Sequence, residues 1–172
     1  MIFKRIIPGL ILLVMALALS SCFRYSFTGT SIPENVNSVY IPFFANQSSG
    51  GIGNLSDLLN DALIDRFITQ TRLQLANSQA DADAILEGSI TRYTNQTFSI
   101  TGEDETSLNE VTISINATFQ YTGENEPEWN KSFSGSATYD TNENPIEGET
   151  TAAQEALNQA ADNMFNDAVS GW

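Results

Sequence analysis

The chain contains no histidine and a single cysteine, Cys22, among 172 residues. Without histidine it lacks the commonest general base and the commonest metal ligand. Ser-His-Asp triads, Cys-His pairs and His-based zinc sites are therefore excluded. One cysteine leaves no partner for a disulfide within the chain. Positive charge is scarce too: 7 Lys and Arg stand against 21 Asp and Glu, a formal net charge of −14. Binding nucleic-acid phosphates needs clustered cations, so no nucleic-acid partner is expected. Lying along an anionic bilayer surface is disfavoured for the same reason. The charge favours solubility and cationic or cation-bridged partners.

Long apolar runs are confined to the N-terminus. Lys4 and Arg5 precede an uncharged stretch from Ile6 to Leu19, interrupted by Pro8 and Gly9. Small residues then lead into Cys22 in the run Leu19-Ser20-Ser21-Cys22. This is the three-part layout of a secretory signal peptide. Spanning a bilayer takes about 20 apolar residues, so the stretch is short for a transmembrane anchor. Its end on a cysteine resembles the lipobox of bacterial lipoproteins. That resemblance implies diacylglycerol on the Cys22 thiol, cleavage before Cys22 and acylation of the new amine. An ordinary secreted protein with a free thiol is the competing reading. With residues 1–21 as the leader, residues 22–172 are the size of one domain. Loss of Lys4 and Arg5 leaves five cations against 21 acids, or −16.

Alternation of apolar and polar residues is clearest at 111–121. Val111, Ile113, Ile115, Ala117, Phe119 and Tyr121 interleave with Thr, Ser, Asn and Gln. This predicts a strand with one buried and one wet face. Residues 129–139 repeat the pattern: Trp129, Phe133, Ala137 and Tyr139 share a face with Lys131 and Gly135. Residues 84–100 make a long strand candidate, with Leu86, Gly88 and Ile90 on a face that Phe98 and Ile100 continue. Residues 36–43 make a shorter one, with Val39, Ile41 and Phe43 alternating and Pro42 marking an edge or an end. Turn signals at Thr101–Asp104 and Thr122–Asn125 join the three long strands into an antiparallel meander. Short extra strands at Phe23–Thr28 or Leu73–Ala76 would extend it.

Two helices flank the meander. Residues 54–70 align Leu55, Leu58, Leu59, Ala62, Leu63 and Phe67 on one stripe, with Asn54 placed as N-cap. Residues 151–169 align an alanine-rich stripe, and Thr151 with Gln154 resembles a capping box. Asp140–Thr150 reads as an acidic loop. The expected fold is α+β: two helices on one face of a four-stranded mixed, mostly antiparallel sheet, in the order β-α-β-β-β-α. The first helix crosses between strands, so a parallel pair is expected there.

The other face of the sheet is rich in Ser, Thr, Asn and Gln and poor in charge. Such a face suits another protein's polar wall; it also suits a solvated sheet using threonine for β propensity. No catalytic constellation forms. Asp140-x-Asn142-x-Asn144 begins like an EF-hand loop but has Pro145 where glycine belongs and Thr151 where glutamate belongs. Asp81-x-Asp83 has the spacing of an acid–base pair, though Asp before a strand ordinarily marks a turn. Glu103-Asp104-Glu105 and Asp140–Glu149 are solvated acidic loops unless a divalent cation gathers them. No nucleophile, base and oxyanion donor come together, so no enzyme, cofactor or metal is expected.

The mature chain as a whole is similar to the LPS-assembly lipoprotein LptE family, in its Bacteroidota-like branch. The likeness is carried by Cys22–Gly29, by Ser38–Asn46, by Asp65-Arg66-Phe67 in the first helix, and by Asp81–Ile90. It implies two helices on a four-stranded sheet and lipid attachment to the periplasmic leaflet of the outer membrane. It also implies a plug role inside the β-barrel translocon subunit LptD, assisting its assembly and delivery of lipopolysaccharide to the cell surface. Phe23-Arg24-Tyr25-Ser26 carries no acidic run after the cysteine, unlike surface-export signals in some of these bacteria. Some family members contact lipopolysaccharide phosphates through basic residues. Here the exposed-strand candidates for lipopolysaccharide or partner contact are Arg92 and Lys131. The alternative role is a lipid-anchored periplasmic activator of a cell-wall synthase, or a secretion-channel subunit.

Overall fold

The computed structural model describes residues 32–99, 107–142 and 144–170. Cys22, Arg24, Ile100, the strand candidate at Phe23–Thr28 and the turn at Thr101–Asp104 with Glu105 lie outside the described residues. In chain order the elements are β1 (Ser38–Tyr40), β2 (Ala45–Asn46), α1 (Leu55–Ile64), a π-helical turn (Asp65–Thr69), β3 (Gln74–Leu75), a 3₁₀ turn (Gln79–Asp81), β4 (Ala84–Ser99), β5 (Ser107–Tyr121), β6 (Trp129–Asp140) and α2 (Pro145–Ser170).

The fold is α+β, with six strands rather than four. The sheet runs β3-β1-β4-β5-β6, and β2 joins β4 above β1. The expected meander is present: β4–β5 and β5–β6 pair antiparallel. So is the expected parallel pair, with Val39 opposite Ala84 across the crossover. Pro42 has no N–H for the ladder, and β1 ends at Tyr40; pairing resumes at Ala45, opposite Ser89. Between them the alternation breaks: Phe43, expected in line with Val39 and Ile41, is 67% exposed, and Phe44 turns into the core instead at 1% exposure, its ring lying over Gly88, where a Cβ would meet the ring at 2.6 Å. The 73–76 strand exists as the short edge strand β3.

Both helices cover one face. Leu86, Ile90, Ile113, Ile115 and Phe119 meet Leu55, Leu59, Leu63, Leu157 and Met164, all buried. Burying a Leu or Ile contributes about 1.5–3 kcal/mol, so this layer is the main source of stability. Phe67 and Phe165 meet edge to face at 5.4 Å, and Phe119 stacks on Trp129 at 5.8 Å.

α2 rests directly on β6. A Cβ at Gly135 would lie 2.0 Å from the Ala156 carbonyl oxygen. The helix also seals the outer edge of the sheet. Gln159 Oε1 accepts from the Ser136 N–H at 2.8 Å, and Asn163 Nδ2 donates to the Ser134 carbonyl at 3.4 Å. Unpaired edge groups would otherwise template pairing with another chain.

Four further local expectations are corrected. First, Phe98 does not continue the Leu86–Ile90 face. The register shifts between Ile90 and Arg92, which pair with Ile115 and Ser114. Thr91 is the extra residue of a β-bulge, and one residue inverts every side chain beyond it. Phe98 therefore stands on the open face, 51% exposed. Second, the 54–70 helix changes character at Asp65. The Thr69 hydroxyl takes the Asp65 carbonyl, and the Thr71 hydroxyl takes the Phe67 carbonyl at 2.5 Å. Such side-chain bonds compete with the α-helical ladder, and the turn widens to π. Third, Asn54 stands at the N-cap position, as expected, but its side chain makes no cap bond. Fourth, the second helix begins at Pro145, so Thr151 and Gln154 are interior and the acidic loop is shorter. The true cap is Asn144. Its Oδ1 accepts from the Glu147 N–H at 3.4 Å and its Nδ2 donates to Glu147 Oε2 at 2.9 Å. Pro145 takes the first helical position, where a missing N–H costs nothing.

Candidate functional site

The face of the sheet away from the helices is the candidate site. The register lays out its middle in rows, Glu87–Thr118–Asn130, Ser89–Asn116–Ser132, Arg92–Ser114–Ser134, Thr94–Thr112–Ser136 and Gln96–Glu110–Thr138, with Phe98–Leu108–Asp140 as an end row. Of the fifteen middle positions only Glu87, Arg92 and Glu110 carry charge. The rest are hydroxyls and amides, which both donate and accept. At the β2 end a shallow depression of about 440 Å³ is lined by Gln47, Glu87, Ser89, Asn116, Thr118 and Asn130 among others.

Charge pairing separates the two cations singled out in the sequence. Lys131 pairs with Ala117, a helix-side residue, and its Nζ reaches Asp167 of α2 at 2.8 Å. Arg92 stands opposite Ser114 on the open face and is exposed. The structure thus places the two on opposite faces. The other described cations are engaged inside the molecule. Arg66 bonds Asp65 and Asp162, tying the π-helical turn to α2. Arg72 Nη2 donates to the carbonyls of Ile32, Pro33 and Val36 at 3.4, 2.5 and 3.2 Å. Among the described residues, Arg92 is the one cation with no ion pair or hydrogen bond.

The carboxylate motifs are structural. Asp81 accepts from the Ser78 hydroxyl at 2.7 Å in the 3₁₀ turn. Asp83 Oδ2 accepts from the N–H of Asn37 at 2.8 Å, the N–H of Ser38 at 3.1 Å and the Ser38 hydroxyl at 3.0 Å. The sequence suggested a turn bonding its own backbone; the partner is a strand start 45 residues away. A cavity of about 430 Å³ beside it has Asp81, Asp83, Tyr121 and Glu124 as its titratable lining. Among the described residues no three Asp, Glu or Cys side chains converge to hold a metal ion.

The Asn37 amide, then the Ser38 hydroxyl, hold the Asp83 carboxyl below the usual carboxylate range. A lowered pKa stabilises the fold above that range and withdraws the contribution as pH falls through it. Thermal melts from pH 6 downward are therefore expected to fall more steeply for the native chain than for Asp83→Asn below about pH 4. Parallel curves would dismiss the linkage. At the other end, Tyr93 donates to Glu149 Oε1 at 2.6 Å, joining β4 to the first turns of α2. Burial, then that bond, push the phenol upward and keep it a donor.

Sequence reasoning missed Arg72, the partners of Asp83 and the Asn144 cap. Only the last had a local signal, Asn144-Pro145-x-Glu147, which is a helix start.

Residues 36–168 match the model of a family described as LptE, Lipopolysaccharide-assembly. No curated protein matches the chain significantly. Among solved structures, a protein from Xanthomonas campestris aligns with a TM-score of 0.55 at 13% identity, covering 79% of this chain and 85% of its own. A minor lipoprotein from Acinetobacter baumannii aligns at 0.50 and 13%, covering 80% of this chain and 94% of its own. At these identities the likeness is one of fold.

Proposed function

The chain belongs to the LptE lipopolysaccharide-assembly family, and from that premise we propose that it is a lipid-anchored plug of the β-barrel translocon subunit LptD. The family is a non-enzymatic component of lipopolysaccharide transport. In this reading Cys22 carries the lipid, and the domain sits at the periplasmic face of the outer membrane. It helps the barrel assemble and deliver lipopolysaccharide to the cell surface. One observation carries the reading: in the five middle rows of the open face twelve of fifteen side chains are neutral hydrogen-bonding groups, and among the described residues Arg92 is the one unpaired cation. Barrel interiors are polar, so hydroxyls and amides find partners there at little desolvation cost. Arg92 is the residue free to meet a barrel carboxylate or a lipopolysaccharide phosphate. Lys131 would first have to leave Asp167.

The test is capture from detergent-solubilised membranes through a C-terminal tag. The expected partner is a heat-modifiable outer-membrane β-barrel. Recovery of only a cell-wall synthase, or of a homo-oligomeric ring, would instead support the activator or channel-subunit role. Arg92→Glu is expected to cut barrel recovery about tenfold, roughly 1.4 kcal/mol, with an unchanged melting temperature. Lys131→Ala is expected to change recovery little, because its charge is already paired across the helix side. Equal losses for both variants would remove Arg92 from the interface.

A further inference from the structure

Residues 32–37 have no helix or strand, yet they are fastened to the body from two sides. Ile32 and Val36 are buried at 5% and 3% exposure. One nitrogen of Arg72 gathers three carbonyls of this segment: Ile32, Pro33 and Val36. At its end, one oxygen of Asp83 gathers the N–H groups of Asn37 and Ser38 and the Ser38 hydroxyl. A cation holds the acceptors and an anion holds the donors. Charged hydrogen bonds of this kind are about twice as strong as neutral ones. The allocation is notable in a chain of −16 with five cations after its leader, because a whole guanidinium is committed to a backbone segment.

The segment lies between the body and the lipidation site. Ten residue steps separate Cys22 from Ile32, and sixteen separate it from Ser38. At full extension these reach about 33–36 Å and about 53–58 Å. The docked segment lies beside Asp81–Asp83, Tyr121, Thr122 and Glu124, which with Pro33, Asn35 and Val36 line the cavity at that end of the sheet.

We propose that Arg72 and Asp83 form a latch that docks residues 32–37 as a strap, shortening the tether and fixing the end of the sheet held near the membrane. This rests on lipidation of Cys22. Undocking would lengthen the reach by up to about 20 Å, letting the body travel from the bilayer to a partner's lumen and back.

The exported full-length lipoprotein, purified in detergent, tests the latch by hydrogen exchange. Arg72→Ala with Asp83→Ala is expected to speed exchange at Val36, Asn37 and Ser38 about tenfold or more, with β4–β6 unchanged. The same proteins, carrying a donor dye at Asn125→Cys, are then placed in phosphatidylethanolamine–phosphatidylglycerol vesicles with an acceptor on the lipid headgroup. Energy transfer is expected to fall in the double variant. Unchanged exchange at 36–38 overturns the latch, as does loss of protection throughout the sheet, which would make the strap part of the core. Freed amides with unchanged energy transfer overturn the tether role. Failure of the anchor itself is told apart beforehand, by a native-chain mass lacking acyl groups.

Discussion

Gly135→Val is expected to lower the melting temperature by roughly 6–12 °C, the consequence of about 3 kcal/mol in a domain of this size. The reason is backbone against backbone. A Cβ at Gly135 would sit 2.0 Å from the Ala156 oxygen, 2.9 Å from the Ala156 carbon and 3.1 Å from the Ala160 nitrogen. No side chain can rotate away, so α2 itself must lift. The stripe facing β6 is built for close approach: Ala153, Ala156, Ala160 and Ala161 are fully buried. Lifting the helix would also strip Gln159 from the Ser136 N–H and Asn163 from the Ser134 carbonyl. The β6 edge would then be open, so aggregation on heating should rise with the loss of stability. Gly53→Ala is the control: nothing lies within 4 Å of its added Cβ. Thermal unfolding followed by circular dichroism decides the matter. A Gly135→Val protein melting within two or three degrees of the native one would mean that α2 does not lie on β6.

Much of this architecture was legible because it repeats locally. Val111 to Tyr121 alternates without a break and Trp129 to Tyr139 does so apart from Lys131, and both strands lie where the alternation places them. The leucine stripe of α1 and the alanine stripe of α2 name their buried faces correctly. The misreading of Phe98 has one cause. Thr91 is polar and unremarkable among polar neighbours, so nothing in the pattern says where the extra residue sits. The partners of Asp83 and Arg72 were hidden for another reason. They lie 45 and about 40 residues away, and all but the Ser38 hydroxyl are backbone groups, which every residue possesses. The same limit applied to the open face. Its neutral composition and its two candidate cations were visible, but Lys131 faces an aspartate only because β6 and α2 are neighbours. Ion pairing is a tertiary fact, and it is what leaves Arg92 as the available charge.

Cys22→Ala is expected to move the protein from wholly membrane-bound to wholly released while leaving its melting temperature unchanged. Among the described residues no helix is long and apolar enough to cross a membrane. With a formal net charge of −14, the chain is repelled by anionic headgroups rather than held by them. In the proposed reading, retention falls to the acyl chains on Cys22. Each buried CH₂ contributes about 0.8 kcal/mol, one chain alone holds only marginally, and two or three on Cys22 hold essentially permanently. The substitution removes all of them at once, so partial release is not expected in cells lacking the barrel. Where the barrel is present, the released form should still bind it through the open face, and membrane association should then depend on Arg92. The measurement is fractionation after a high-salt wash, with and without the barrel. A Cys22→Ala protein that stays with barrel-free membranes would exclude the lipid as the anchor and leave the sheet face to be explained in another way.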